Sequence, residues 1–271
     1  MTDQRMKNQS QRGTGQQEKF RSEEERRQES QYAYPYHYIP EHGGKSFSQT
    51  QHWEWGFRYL GGMKVVMDEL SSLSFESLVD IGCGDGRFLR EFCRQHPGKE
   101  TLGVDYSDRA IRLASAMNPK IPYECRDIRS DPMDRSFDVA TLIEVLEHIP
   151  PSDVSEFLES VSEMLCPGGH LVLTVPHTNK PVQPKHFRHY DKSLLQKCLA
   201  PHFEDLSFIL FDSHSRLLGL LKRLIGGSGD HFVITNPHIN HFFFQMYCRY
   251  FLYRVDESTC GRIAVTARVP G

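Results

Sequence analysis

Val79-Asp80-Ile81-Gly82-Cys83-Gly84-Asp85-Gly86 links a short apolar run beginning at Ser77 to an amphipathic one, RFLREFCRQH, whose Phe88, Leu89 and Phe92 share one face. A run of four apolar-rich residues, a glycine-dense turn and then a 3.6-residue period predict strand, tight loop, helix. The same alternation continues outward. TLGVDY reads as a second strand, and SDRAIRLASAM as a helix with Ser107 as its N-cap. IPYECRDI, SFDVATLIEV, HLVLTVP and FEDLSFILF read as further strands, with VSEFLESVSEML as the helix before Pro167-Gly168-Gly169. RIAVTARV is the last strand. Strands alternating with helices predict an α/β fold, a Rossmann-like doubly wound sheet with helices on both faces.

Around this frame the composition is uneven. The chain has 271 residues, 38% hydrophobic, with 32 Lys and Arg against 35 Asp and Glu and a formal charge of -3. That balance argues against a general nucleic-acid binder, because no field of one sign covers the molecule. Seven cysteines with no C-x-x-C pair read as reduced thiols, neither a disulfide frame nor a zinc knuckle. No apolar run approaches the ~18 residues of a membrane span, and the polar start lacks a signal-peptide core. A cytoplasmic protein is the expectation. Residues 1 to 30 are Gln, Arg, Glu and Ser with almost no apolar residue, and are expected to be disordered. Residues 31–76 shift abruptly to aromatics (Tyr34, Tyr36, Tyr38, Trp53, Trp55) and read as a lid followed by a helix from about Gln51 to Leu70, interrupted near Gly61-Gly62. Residues 77–271 form the main domain, with a helical and aromatic insertion at about 212–260.

Two ligand classes compete for the glycine turn. A dinucleotide fingerprint, G-x-G-x-x-G, needs a third glycine where this chain has Arg87. Asp80 and Asp85 would repel a pyrophosphate but favour the cationic amino-acid end of S-adenosyl-L-methionine. Asp105, at the tip of the second strand, is placed to accept hydrogen bonds from ribose hydroxyls.

The ordered set VDIGCGDGRF, GVDYS, CRDI, FDVATLIEVLEHI and LCPGGHLVLTVP, running from about Ser77 to Val175, resembles the class I S-adenosylmethionine-dependent methyltransferases, among them the ubiquinone-biosynthesis-like group. The resemblance implies that Asp80, Gly82 and Gly84 hold the methionine portion, Asp105 the ribose, and Asp127 the adenine edge with Ile128 beside it. It also implies a seven-stranded sheet whose last strand, RIAVTARV, runs antiparallel between two parallel ones.

The methyl acceptor is read from the polar residues beyond strands four and five. Glu144, Glu147 and His148 form E-x-x-E-H, and a helical turn there would put all three on one face. Lys185-His186-Phe187-Arg188-His189-Tyr190-Asp191 follows strand five. Both loops are expected at the carboxyl end of the sheet, where open α/β folds bind ligands. Two carboxylates and an imidazole or two are a donor set for Mn or Mg, and either His148 or His189 alone is a candidate general base. The pairing of E-x-x-E-H with a downstream F-R-H resembles the metal site of small-RNA 3′-terminal 2′-O-methyltransferases, which implies Glu144, Glu147, His148 and His189 as ligands. Asp191 is followed here by Lys192, where those enzymes have a histidine.

These readings converge on a methyltransferase acting on a hydroxyl of a small molecule or saccharide. The alternatives are a metal-dependent RNA ribose 2′-O-methyltransferase, an amine or thiol methyltransferase, and a non-catalytic cofactor-binding protein. About 50 residues separate the sixth and seventh strands, where a compact relative would have a short hairpin. SRLLGLLKRLIGG, with Arg216, Lys222 and Arg223 among leucines, reads as an interfacial membrane helix or as plain packing. HFFFQMYCRYFLYRV reads as core or as a dimer seam.

Overall fold

A computed structural model describes residues 22–30, 41–43, 46–48, 53–213 and 237–271. Tyr34, Tyr36 and Tyr38 of the expected lid and the whole of SRLLGLLKRLIGG lie outside the described residues. Within the stretch expected to be disordered, Glu23–Ser30 is helical, and the Arg27 guanidinium donates to the carbonyl of Pro184 at 3.1 Å.

Seven strands make one sheet: β1 (Ser77–Ile81), β2 (Glu100–Asp105), β3 (Tyr123–Cys125), β4 (Phe137–Ile143), β5 (Leu165–Pro176), β6 (Glu204–Ser213) and β7 (Cys260–Arg268). Their order is β3-β2-β1-β4-β5-β7-β6. The pairs from β3 to β5 are parallel, and β7 runs antiparallel to both β5 and β6. The order reverses between β1 and β4, the switch point at which such sheets bind ligands. The expected strand IPYECRDI is shorter than its apolar pattern, Tyr123–Cys125 alone, because it ends once it has paired with the last residues of β2.

Side chains alternate across the sheet with the two-residue period of a strand. Val79, Ala140, Leu171, Leu173, Ile263 and Val265 face one core with α4 (Val154–Glu163) and α5 (Lys192–Leu199). Leu78, Val139 and Val172 face the other, with α1 (Trp53–Leu70) and α2 (Arg87–Gln95). α3 (Asp108–Met117) follows β2, and Ser107 caps it by accepting from the Ala110 amide at 3.1 Å. The aromatic insertion returns as α6 (Pro237–Tyr247) and a π-helical turn, Cys248–Leu252. Tyr247, Phe251 and Leu252 pack with Phe57 and Val65 of α1 and with Phe211. No helix among the described residues is long and apolar enough to cross a membrane.

α1 is continuous from Trp53 to Leu70, without the expected break at Gly61-Gly62. The glycines are there for proximity. A β-carbon on Gly61 would lie 2.8 Å from the Tyr247 ring, and one on Gly62 would lie 2.5 Å from Arg262 Nη1. Gly56, on the same helix, has nothing within 4 Å of that position.

Gly56→Ala therefore removes only a helix penalty and is expected to stabilise the fold by about 1 kcal/mol. Gly61→Ala inserts a methyl against Tyr247 and is expected to cost roughly 1–3 kcal/mol despite the better helix propensity. Urea denaturation of the two variants checks this; equal effects would mean that the α1–α6 contact is loose.

Candidate active site

The glycine turn forms because its amides find partners while its angles stay left-handed. Gly82, Gly84 and Gly86 have φ of 73°, 55° and 73°, a region that side chains other than glycine rarely occupy. The amides of Gly82 and Cys83 both donate to the Val104 carbonyl, at 2.7 and 3.1 Å, pinning the loop to β2. A β-carbon on Gly82 would lie 2.5 Å from Val145 Cγ2, so the loop also packs on the turn after β4.

Three acids converge on this loop. Asp105 is 5% exposed; its Oδ2 accepts from the Gly84 amide at 3.0 Å and its Oδ1 from the Ser107 amide at 2.9 Å. Asp80 is 2% exposed, and its Oδ1 accepts from the Thr141 hydroxyl at 2.7 Å. Burial raises the Asp80 carboxyl to about 7, partly offset by the Thr141 hydrogen bond and reinforced by Asp105. Burial likewise raises Asp85, whose Oδ1 accepts from the Arg87 amide. The Cys83 thiol stays protonated, pushed up first by burial and then by the neighbouring acids. Such a pocket rejects phosphate and draws a cation. Thr141, which no motif singled out, is the residue that orients Asp80.

At the other side of the loop Asp127 is held by Arg129. Its Oδ1 accepts from Arg129 Nε and its Oδ2 from Nη2, both at 3.1 Å, and the same guanidinium reaches Asp153 at 3.0 Å. The residue expected to read a base edge is thus the acid of a bidentate ion pair. Ile128 beside it is 3% exposed and belongs to the core.

The E-x-x-E-H stretch departs from the expected helical face. Glu144 stands in a left-handed conformation with φ 56°, and only Leu146–His148 form a 3-10 turn. The loop after β5 is tied onto that turn by three hydrogen bonds. The Tyr190 hydroxyl donates to the Leu146 carbonyl at 3.1 Å, the Phe187 amide to the Glu147 carbonyl at 2.8 Å, and His148 Nδ1 to the Lys185 carbonyl at 2.9 Å. Since a carbonyl only accepts, Nδ1 of His148 carries the proton and Nε2 keeps its lone pair.

The expected four-ligand set does not assemble as such. One ligand atom each from Glu147, His148 and His186 lies within 4.8 Å of the others. His189 stands one bond behind: its Nδ1 donates to the Lys180 carbonyl at 3.0 Å, and its Nε2 accepts from His186 Nδ1 at 2.9 Å. His186 therefore presents Nε2, oriented by His189, and its ring meets that of His148 edge-on with centroids 4.8 Å apart. The sequence contains His186 in the same short run, but periodicity does not say which of two histidines three residues apart faces the turn. Both carboxylate oxygens of Glu147 are buried without a hydrogen-bond partner, as is Oε1 of Glu144. Burial, then Glu144, pushes the Glu147 carboxyl well above the usual range. Burial holds His148 down at about 4 and His186 at about 2, so both rings are neutral at pH 7.

A family model described as a methyltransferase domain matches residues 48–222. Among curated proteins, a ubiquinone biosynthesis O-methyltransferase of Bradyrhizobium sp. (strain ORS 278) is 36% identical over 115 residues, 41% of this chain and 44% of that protein. The mitochondrial ubiquinone biosynthesis O-methyltransferase of Schizosaccharomyces pombe is 32% identical over 119 residues, 41% of this chain and 42% of that one. The matches thus span less than half the length of these relatives. Among solved structures, the N-methyltransferase NodS of Bradyrhizobium japonicum WM9, in complex with S-adenosyl-L-homocysteine, aligns at TM-score 0.54 with 17% identity, over 79% of this chain and 88% of its own. An S-adenosylmethionine-dependent methyltransferase of Archaeoglobus fulgidus aligns at 0.53 with 18% identity, over 78% and 94%. These two likenesses establish a shared fold.

The lowered His148 has a consequence for stability. Between pH 6.5 and about 4 the unfolded chain takes up a proton at this residue that the folded chain refuses. Stability contributed there is present at neutral pH and is lost on acidification. His148→Asn keeps a donor for the Lys185 carbonyl and cannot titrate. From pH 7 to pH 5 the variant is expected to lose on the order of 1–2 kcal/mol less than the natural chain, by urea denaturation. Parallel losses would place the His148 ring in contact with water.

Proposed function

The chain belongs to the methyltransferase-domain family, and we propose that it O-methylates a hydroxyl of a small molecule or saccharide with S-adenosyl-L-methionine as donor. The observation that carries this reading is the buried acid pocket at the sheet's switch point. Asp80 is an acid in want of a cation, and the donor's ammonium group supplies one. The backbone of Gly82 and Gly84 admits the methionine portion, and Asp105, oriented by two amides, has the acceptor character that a ribose diol needs. Asp127 and Ile128 border the adenine end, with Arg129 fixing the Asp127 carboxylate.

When bound, the donor supplies an electrophilic methyl on a cationic sulfur. The protein's own task is to hold the acceptor in line and take its hydroxyl proton. His148 Nε2 and the Glu147 carboxylate are the groups that do so. Neutral His148 has an open lone pair at neutral pH, and an ionised Glu147, desolvated, is a strong proton acceptor. His189, with both ring nitrogens engaged, acts as a positioning residue through His186.

A second reading is favoured by the unpartnered oxygens of Glu147. With His148 and His186 they make a donor set of one carboxylate and two neutral imidazoles, which fits Mn²⁺, or Mg²⁺ with added water. Glu144 stands beside them as a further carboxylate. Such an ion would lower the pKa of a coordinated hydroxyl. RNA with a free 2′-hydroxyl then becomes an acceptor to test against small molecules.

Incubating the full chain with methyl-labelled donor, catechols, hydroxy acids, saccharides and short RNA tests the reading. Label is expected in a small hydroxylated acceptor; label in RNA alone would replace it by the ribose-methylating alternative, and label in none, with donor bound, would leave a binding protein. Donor binding should release protons between pH 6 and 8, because the ammonium lowers an Asp80 carboxyl that starts at about 7. Affinity therefore rises with pH in that range. Calorimetry in buffers of differing ionisation enthalpy reads it, and in Asp80→Asn the buffer dependence is expected to vanish; a dependence that persists there would assign the proton to another group. For the metal, manganese titration is expected to show one site, weakened by His186→Ala more than by His189→Ala. No binding, with turnover indifferent to chelator, would leave His148 and Glu147 as the bases.

A further inference from the structure

Beyond the chemistry above, the same sheet edge holds a second charged cluster. Asp212, at the end of β6, is fully buried and left-handed with φ 61°. Its Oδ2 lies 3.1 Å from Lys180 Nζ and 3.3 Å from Arg262 Nε. Its Oδ1 accepts from the Tyr247 hydroxyl at 2.8 Å and lies 3.5 Å from Arg58 Nε. The Arg262 guanidinium also donates to the Arg58 carbonyl and stacks over the Phe211 ring, 4.8 Å from its centroid. The cations hold Asp212 ionised, well below the usual carboxylate range, against the effect of burial.

Two features of this cluster are not explained by Asp212 alone. The first is charge. Lys180 and Arg262 side chains are 16% and 8% exposed, and both lean on one carboxylate. Nearly buried cations in excess of their counter-ion are costly. The next acid felt by both is Glu144. It makes no ion pair with either among the described residues, and its Oε1 is buried with no partner. A cation pair thus feels a nearby carboxylate that it does not bond, and one oxygen of that carboxylate is buried without a partner. The second feature is the backbone cut away for the cations. A β-carbon on Gly62 would lie 2.5 Å from Arg262 Nη1, and one on Gly261 would lie 2.5 Å from Lys180 Cε.

The place is contiguous with the acceptor side. Arg262 sits in register with Pro176 of β5 and Phe211 of β6, at the carboxyl end of the parallel strands. The Lys180 carbonyl holds His189 and, through it, His186.

We propose that Lys180 and Arg262, with Arg58 beside them, form an anion-binding subsite of the acceptor pocket, so that the acceptor carries a carboxylate or phosphate group as well as the hydroxyl to be methylated. The proposal rests on the methyltransferase reading. Asp212 spaces and aims the two cations; the acceptor's anion supplies the counter-charge that Asp212 leaves incomplete. Its hydroxyl then lies towards Glu144 and the histidines. Neutral hydroxyl compounds leave the cations unanswered and bind poorly, which makes these residues determinants of specificity.

The test is titration of the full chain, with and without saturating S-adenosyl-L-homocysteine, by inorganic phosphate and separately by benzoate, at ionic strength held constant with chloride. Saturable binding of at least one is expected by calorimetry, weakened about tenfold or more in Arg262→Gln and in Lys180→Met. Phosphate alone would assign a phosphorylated acceptor, and benzoate alone a carboxylic acid. Should Arg262→Gln fail to fold, Lys180→Met, which leaves Asp212 its arginines, carries the comparison. No saturable binding of either anion, or equal binding by the variants, would overturn the subsite and leave a structural ion network. Homocysteine-product binding is read in the same samples. Its absence counts against the methyltransferase reading, whereas its presence without anion binding overturns the subsite alone.

Discussion

Asp105 binds two loops with one carboxylate. By accepting from the Gly84 and Ser107 amides it fixes the glycine turn after β1 to the N-terminus of α3, so two strand ends share one geometry. A buried carboxylate needs donors of this kind to offset its desolvation, and these two are in place because Gly84 is left-handed and Ser107 caps a helix. The remainder of the acid pocket follows. Burial raises the Asp80 carboxyl, the Thr141 hydroxyl on β4 offsets part of that rise, and Asp105 adds a smaller push in the same direction as burial.

The sheet edge is therefore polarised along its length. At β1 and β2 stand Asp80, Asp85 and Asp105; at β5, β6 and β7 stand Lys180 and Arg262 around Asp212. Glu144, Glu147, His148 and His186 lie between. A cationic donor at one end and an anionic acceptor at the other would meet over the neutral imidazoles of His148 and His186 and the carboxyls of Glu144 and Glu147, which lie between the two charged ends. Low dielectric strengthens each end's attraction without requiring long-range steering.

The fold was legible because its signals are local. The strand–glycine–helix turn, the Ser107 cap and the apolar runs of β5 and β7 each occupy a few adjacent positions, and each appears as read. The antiparallel β7 came from family resemblance; nothing in RIAVTARV gives its direction. The acceptor side was legible as residue types and not as geometry. E-x-x-E-H announces donors, but the 3-10 turn and the left-handed Glu144 decide which of them meet. That Arg129 would fix the Asp127 carboxylate, and that His186 and not His189 would meet Glu147 and His148, depends on loop conformations that residue spacing does not encode.

Gly61 and Gly62 show the limit most clearly. In a helix, glycine reads as a breaker because it forfeits about 1 kcal/mol against alanine. That cost is tolerated where a neighbour needs the space, and here the neighbours are Tyr247 and Arg262, some two hundred positions away. The four residues of the charged cluster, Arg58, Lys180, Asp212 and Arg262, come from α1, a loop, β6 and β7. They meet only because β7 inserts between β5 and β6 and returns the chain to α1. A cation placed this way leaves its trace in the sequence as glycines, at 62 and 261, and such a trace becomes readable only once the topology says what they face.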